Sequence, residues 1–204
     1  GKKGDLEKVK INLADAVKIK RDKKLKTTLG VQCLLMPENM MQLENMARQL
    51  KEIGVDYFTI KPYSQHLHSK NTFKINYKEM LEFEQEIKKY ATKDFSIYFR
   101  ANAMEKMHQV KSYDRCYGLP FMTHIDAKGN VWPCVAHIGR KEFCYGNIYE
   151  QTFEQIWEGE KRWQIVKEIN ALDINEICRE ACRLDEINKY LCDLKNPGEH
   201  VNFI

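Results

Sequence analysis

The chain has 204 residues, 43% of them hydrophobic and 30% charged, a length and composition that allow one or two compact domains with a buried core. Its 33 Lys and Arg stand against 29 Asp and Glu for a net charge of +4, too small to argue for nucleic acid as a partner. No signal-peptide pattern or long apolar run opens the sequence, so the composition points to a cytoplasmic protein without a membrane segment.

In chain order, Leu6, Val9, Leu13, Ala16 and Val17 recur at helical spacing and predict an amphipathic first helix. The basic residues crowding its end (Lys18, Lys20, Arg21, Lys23, Lys24, Lys26) read as its solvated face rather than a phosphate site. Thr27 to Met36 is a nearly continuous apolar run containing Gln32 and Cys33, which predicts a buried strand. Pro37-Glu38-Asn39 opens a second helix with Leu43, Met46, Ala47 and Leu50 on one face, and Gly54 closes it. Val55 to Ile60 predicts a second buried strand, stopped by Lys61-Pro62. A helix over Tyr77 to Tyr90 and a short strand over Phe95 to Phe99, ending at Arg100, complete this half.

Helices alternating with buried strands predict an α/β fold with parallel pairing, as a sheet or barrel. Ligands in such folds sit beyond the carboxyl ends of the strands. Lys61, Tyr63, Gln65 and His66 are therefore candidates for a substrate or cofactor wall, with Gln32 in the preceding strand and Arg100 after the next.

A second half opens near Asp114 and is framed by cysteines. Cys116, Gly129 and Cys134 form C-x12-G-x4-C, and Cys178 and Cys182 follow as C-x3-C. Asp126-Ala127-Lys128-Gly129-Asn130 is a turn signal between apolar runs, so Cys116 and Cys134 should flank a β-hairpin that folds them together. Cys178 and Cys182 are spaced as one turn of a helix, on one face. Thiolates converging from a hairpin and a helix make a metal site for zinc or an iron–sulfur cluster. Zinc sites usually show two tight C-x2-C half-sites, and the wide first spacing here favours a cluster. Cys33, Cys144 and Cys192 read as structural, being set among apolar residues or a turn. His124 reads as a satisfied strand residue, and His137 is a minor candidate for a missing ligand. The sequence contains no Walker-type glycine loop, H-E-x-x-H or Ser–His–Asp arrangement.

These residues resemble the radical S-adenosylmethionine (radical SAM) enzymes, in the branch that carries a SPASM or twitch auxiliary-cluster domain. The resemblance rests on Cys116, Gly129 and Cys134, on Gly146-Asn147-Ile148 before Phe153 and Trp157, and on Cys178 to Arg183. The upstream Gly30 to Pro37 and Gly54 to Tyr63 segments are similar to the last part of that family's barrel. It implies residues 1–113 as the C-terminal portion of a partial (β/α)6 TIM-like barrel, and 114–204 as a hairpin-plus-helix SPASM/twitch domain. It also implies an auxiliary 4Fe-4S cluster on Cys116, Cys134 and Cys182, the fourth position falling to Cys178, Arg100 or substrate.

The family's C-x3-C-x2-C motif for the cluster that cleaves S-adenosylmethionine is absent, since Asp185 stands where Cys178-x3-Cys182 would need its third cysteine. The chain thus resembles the C-terminal part of such an enzyme, and the cysteine count suits the shorter twitch form. In the intact enzyme the resemblance implies S-adenosylmethionine, a second 4Fe-4S cluster and oxidation of a small polar metabolite or peptide, with ferredoxin or flavodoxin as reductant. Two other readings stand beside it: a non-catalytic iron–sulfur electron-transfer or scaffold module, and a zinc-stapled binding domain.

Overall fold

The computed structural model describes residues 4–65, 69–70, 73 and 75–199. Their contacts divide the chain into two compact units, one built from 1–64 and 73–108, the other from 65–72 and 109–204. Among the described residues no helix is long and apolar enough to cross a membrane.

In the first unit, α1 (Asp5–Asp22) precedes β1 (Gly30–Leu35), and a 3-10 turn (Met40–Gln42) leads into α2 (Leu43–Ile53). Gly54 ends α2 at φ +92°, a backbone that L side chains rarely adopt. β2 (Tyr57–Pro62) follows, then α3 (Tyr77–Met80), α4 (Phe83–Lys88), β3 (Ser96–Phe99) and α5 (Ala101–Glu105). The expected helix over 77–90 is thus two short ones, broken at Leu81 and Glu82. The strands pair in parallel in the order β1-β2-β3, as the alternation of elements predicts. A closed or partial barrel is not what these three strands alone define.

The sheet is two-faced, which corrects the expectation of strands buried throughout. Leu35, Phe58, Ile60, Ile97 and Phe99 are buried beside Leu43, Ala47, Leu50 and Ile87 of the helices. Register puts Gln32 beside Thr59 and Leu34 beside Lys61, with Thr59 beside Tyr98. Side chains alternate across a strand, so these residues share the opposite face, where Leu34 is 42% and Tyr98 53% exposed. The apolar run through β1 is therefore a half-covered strand at the edge of the sheet.

Asp56 ties α1 to the start of β2. Its carboxylate accepts from Lys20 Nζ at 2.5 and 2.6 Å and from the Leu29 backbone N–H at 2.6 Å. Burial pushes this carboxyl up, but the Lys20 and Leu29 bonds outweigh it and hold the pKa below its ordinary value. Asp56→Ala should lower unfolding free energy by about 1–3 kcal/mol, the usual range for a charged hydrogen bond, measured by urea denaturation. A change near zero would show that the Lys20–Asp56 pair is only a surface contact.

Candidate iron–sulfur site

The second unit is built on a small antiparallel sheet. β4 (His124–Ile125), β5 (Asn130–Trp132) and β6 (Gly146–Asn147) pair in that order, and α6 (Phe153–Glu158), α7 (Glu160–Asn170), α8 (Ile174–Ile177) and α9 (Asp185–Lys195) follow. The expected hairpin is present, with His124 opposite Trp132 and Ile125 opposite Val131. Gly129 turns it at φ +79°.

Asp126 closes that turn. Its carboxylate accepts from the Lys128 and Asn130 backbone N–H groups at 2.8 and 3.0 Å, and from Asn130 Nδ2 and Trp132 Nε1 at 2.9 Å each. These bonds fix the start of β5, which ends two residues before Cys134.

Behind the hairpin lies a core of Leu119, Val131, Phe143, Tyr145, Ile156, Ile165, Val166 and Ile169, with Cys116, Cys134 and Ile177 packed against it. Arg162 clamps the helices to the loop after Cys116. It is 2% exposed, lies 3.7 Å from the Trp157 ring centre and 4.4 Å from that of Trp163, and donates to the carbonyls of Trp157 and Pro120. A capping box of Thr152 and Gln155 starts α6, the helix before the one that carries Arg162.

Cys116, Cys134, Cys178 and Cys182 line one pocket. The rest of its wall is mostly apolar: Leu119, Ile169, Leu172, Ile174, Ile177 and Leu184, with Ala136, Arg115 and His137 beside them. Spacing alone suggested one helix face for the last two cysteines, and that is corrected. Cys178 ends the one-turn α8 with an extended backbone at φ −106°, ψ 153°, and Cys182 lies in the loop before α9. The loop still brings the two thiols within hydrogen-bonding reach of each other. Cys33, Cys144 and Cys192 do not line this pocket. Cys144 Sγ instead contacts the Gly146 carbonyl at 3.4 Å, and Cys33 lies in β1.

Burial dominates the chemistry of these thiols. It pushes Cys116 up and Cys134 up to about 11, against weaker backbone bonds that pull the other way. Cys182 is lowered because the Cys178 S–H donates to it and the Leu184 N–H adds a bond at 3.4 Å. Cys178 is raised by the same shared bond and by burial. Buried thiols of this kind exchange their protons for metal rather than ionise alone.

Among the described residues, no three His, Cys, Asp or Glu side chains gather closely enough to hold a single metal ion. A zinc ion needs its donors around one point, whereas a cluster spreads its thiolates over several irons. Four thiols around an apolar pocket suit the second requirement.

The wall candidates fall as follows. Gln32 and Lys61 lie on the less covered face of the parallel sheet. Arg100 is exposed just past β3, and its N–H donates to the Ile60 carbonyl at 2.9 Å. Tyr63 follows β2, its N–H donating to the Tyr77 hydroxyl at 2.6 Å and its ring edge-on to Phe73. Gln65 is partly buried and groups with the second unit. His66 lies outside the described residues.

Sequence reasoning missed Asn188 and Tyr113. Asn188 is fully buried on α9 and Tyr113 is 3% exposed. Asn188 Nδ2 reaches Cys116 Sγ at 3.6 Å, and the Tyr113 hydroxyl donates to Asp185 Oδ1 at 3.0 Å. The only sequence trace is the Asp185, Asn188, Lys189 spacing on one helix face.

Residues 116–183 match SPASM, described as an iron-sulfur cluster-binding domain. The match supports the SPASM part of the resemblance over this segment. The crystal structure of selenomethionine BtrN in an open conformation aligns with 83% of this chain and 63% of that one, at 15% identity. Its TM-score of 0.28 is too low to carry an argument, and the chain spans less than two thirds of that protein's length. No curated protein matches the chain.

Asp126 ties the hairpin through its charge. The Asn130 and Trp132 side-chain bonds hold the Asp126 carboxyl down to about 2. A depressed carboxyl contributes its stability above its unfolded pKa, near 4, and loses it as pH falls through the folded value. Asp126→Asn should therefore melt below the parent at pH 7, and the gap should close between about pH 4 and pH 2. A gap that stays constant over that window, read by thermal melts, would remove Asp126 as the charged tie of the turn.

Proposed function

We propose that the chain supplies the auxiliary-cluster part of a radical SAM oxidoreductase, holding one 4Fe-4S cluster on Cys116, Cys134, Cys178 and Cys182. The observation that carries this reading is the convergence of these four thiols on one apolar pocket within the SPASM segment. One cluster on four thiols corresponds to the shorter, twitch-like arrangement, and Cys178 takes the fourth position ahead of Arg100 or substrate. When bound, the cluster would accept an electron from an oxidised substrate or bind substrate directly. The chain's own residues would position the thiolates, keep water from the cluster through the Leu and Ile wall, and set its electrostatics through neighbouring donors.

In this reading residues 1–113 are part of a partial (β/α)6 barrel, and 114–204 form the cluster domain. The exposed sheet face bearing Gln32, Thr59, Lys61 and Tyr98 would turn toward the barrel interior, and Tyr63, Gln65, His66 and Arg100 are proposed as wall residues of the cofactor and substrate cavity. S-adenosylmethionine and a second 4Fe-4S cluster would belong to the intact enzyme, outside these residues. The substrate is a small polar metabolite or a peptide, the reductant a ferredoxin or flavodoxin, and the setting the cytoplasm. A non-catalytic iron–sulfur module is the second reading, since these residues carry no S-adenosylmethionine-cleaving motif.

Anaerobic reconstitution tests the ligand set. Cys116→Ala and Cys134→Ala should lose most of the bound iron and the brown absorption at about 400 nm typical of such clusters, while Cys33→Ala and Cys192→Ala keep both. Equal loss in all four variants would sink the assignment. The 204 residues alone should form no 5′-deoxyadenosine from S-adenosylmethionine under reducing conditions. Cleavage above background would place that chemistry in this chain and overturn the proposed division of labour.

A further inference from the structure

Asn188 is a fully buried polar side chain on α9, at 0% exposure. A buried amide must find partners for both ends. Its Oδ1 accepts from the Gly118 backbone N–H at 2.7 Å. That bond decides the amide's orientation, because a backbone N–H can only donate and so must face the oxygen. Nδ2 then has to face the other way, toward Cys116 Sγ at 3.6 Å and the Tyr113 hydroxyl. Gly118 lies two residues after Cys116, so the one side chain grips both the cysteine and the turn that follows it. The Cys116 N–H is held separately by Asn170 Oδ1 at 3.1 Å.

The contact does not end at Asn188. Tyr113 donates to Asp185 Oδ1 at 3.0 Å, and Lys189 Nζ pairs with Asp185 Oδ2 at 2.8 Å. Asp185, Asn188 and Lys189 stand at i, i+3 and i+4 on α9. A hydrogen-bonded chain thus runs from an ammonium through a carboxylate, a phenol and an amide to the sulfur of a proposed cluster ligand. Chains of this kind orient and polarise their members.

We propose that Asn188 is the positioning residue of the cluster, donating an N–H···S hydrogen bond to the Cys116 thiolate and thereby raising the cluster's reduction potential. This rests on Cys116 being a cluster ligand. Reduction adds negative charge that spreads onto the thiolates, and a donor aimed at one of them stabilises the reduced form more than the oxidised. Tyr113 and Asp185 keep the amide from rotating, so the donor is fixed before the cluster arrives.

The test is a redox titration of the reconstituted chain, followed by the electron paramagnetic resonance of the reduced cluster, beside iron analysis. Iron binding by the parent chain tests the ligand reading itself; the potential tests Asn188. Asn188→Leu keeps the size of the side chain and removes the donor. It should bind iron as the parent does and titrate at a clearly more negative potential. Full iron with an unchanged potential would overturn the proposal. Should that variant fail to load, Asn188→Ala decides, since it removes the donor without adding bulk or charge. Its potential should likewise fall below that of the parent, and an unchanged value would equally overturn the role given to Asn188.

Discussion

The second unit depends on one constraint: four thiols have been taken out of water into an apolar pocket. Alone, Cys116 and Cys134 would be weak acids held protonated by burial, as their upward shifts show. A cluster reverses that situation, because its irons supply the positive charge that makes thiolates stable where bare ones are not. The Leu and Ile wall that disfavours ions on their own then shields a bound cluster from solvent. The hairpin closed by Asp126, the Arg162 clamp and the Asn188 amide all hold pieces of that pocket in register.

The first unit shows a different asymmetry. Its parallel sheet is packed by helices on one side, while Gln32, Leu34, Thr59, Lys61 and Tyr98 share the other. Polar and half-exposed residues on a parallel sheet face are unusual for a strand buried on both sides. They suit a face that lines a cavity, with Lys61 near the carboxyl end of β2 and Tyr63 and Arg100 as the first residues beyond β2 and β3.

Much of this could be read from sequence because the signals were local. Gly54 after an amphipathic stretch, Pro62 after an apolar one and Asp126 to Asn130 between two strands each fix a boundary through backbone geometry or side-chain capping. The C-x12-G-x4-C spacing points to the hairpin and to the pocket that Cys116 and Cys134 share for the same reason, since a hairpin converts sequence distance into proximity. Two features escaped. Cys178 and Cys182 have helical spacing, but the chain leaves the helix at Cys178, where the extended backbone and the later Leu184 N–H bond set a loop instead. An i, i+4 spacing cannot tell these apart. Asn188 escaped because its meaning lies in partners 70 and 72 residues away, and an isolated Asn on an otherwise amphipathic helix carries no mark of them.

The most direct measurement is the iron and sulfide content of the anaerobically reconstituted chain, with Mössbauer spectroscopy to type the iron. The account expects about four iron and about four sulfide per chain in a single cubane with thiolate ligands, lost together on Cys116→Ala. Tight binding of one zinc per chain, with iron failing to displace it and no sulfide retained, would contradict it.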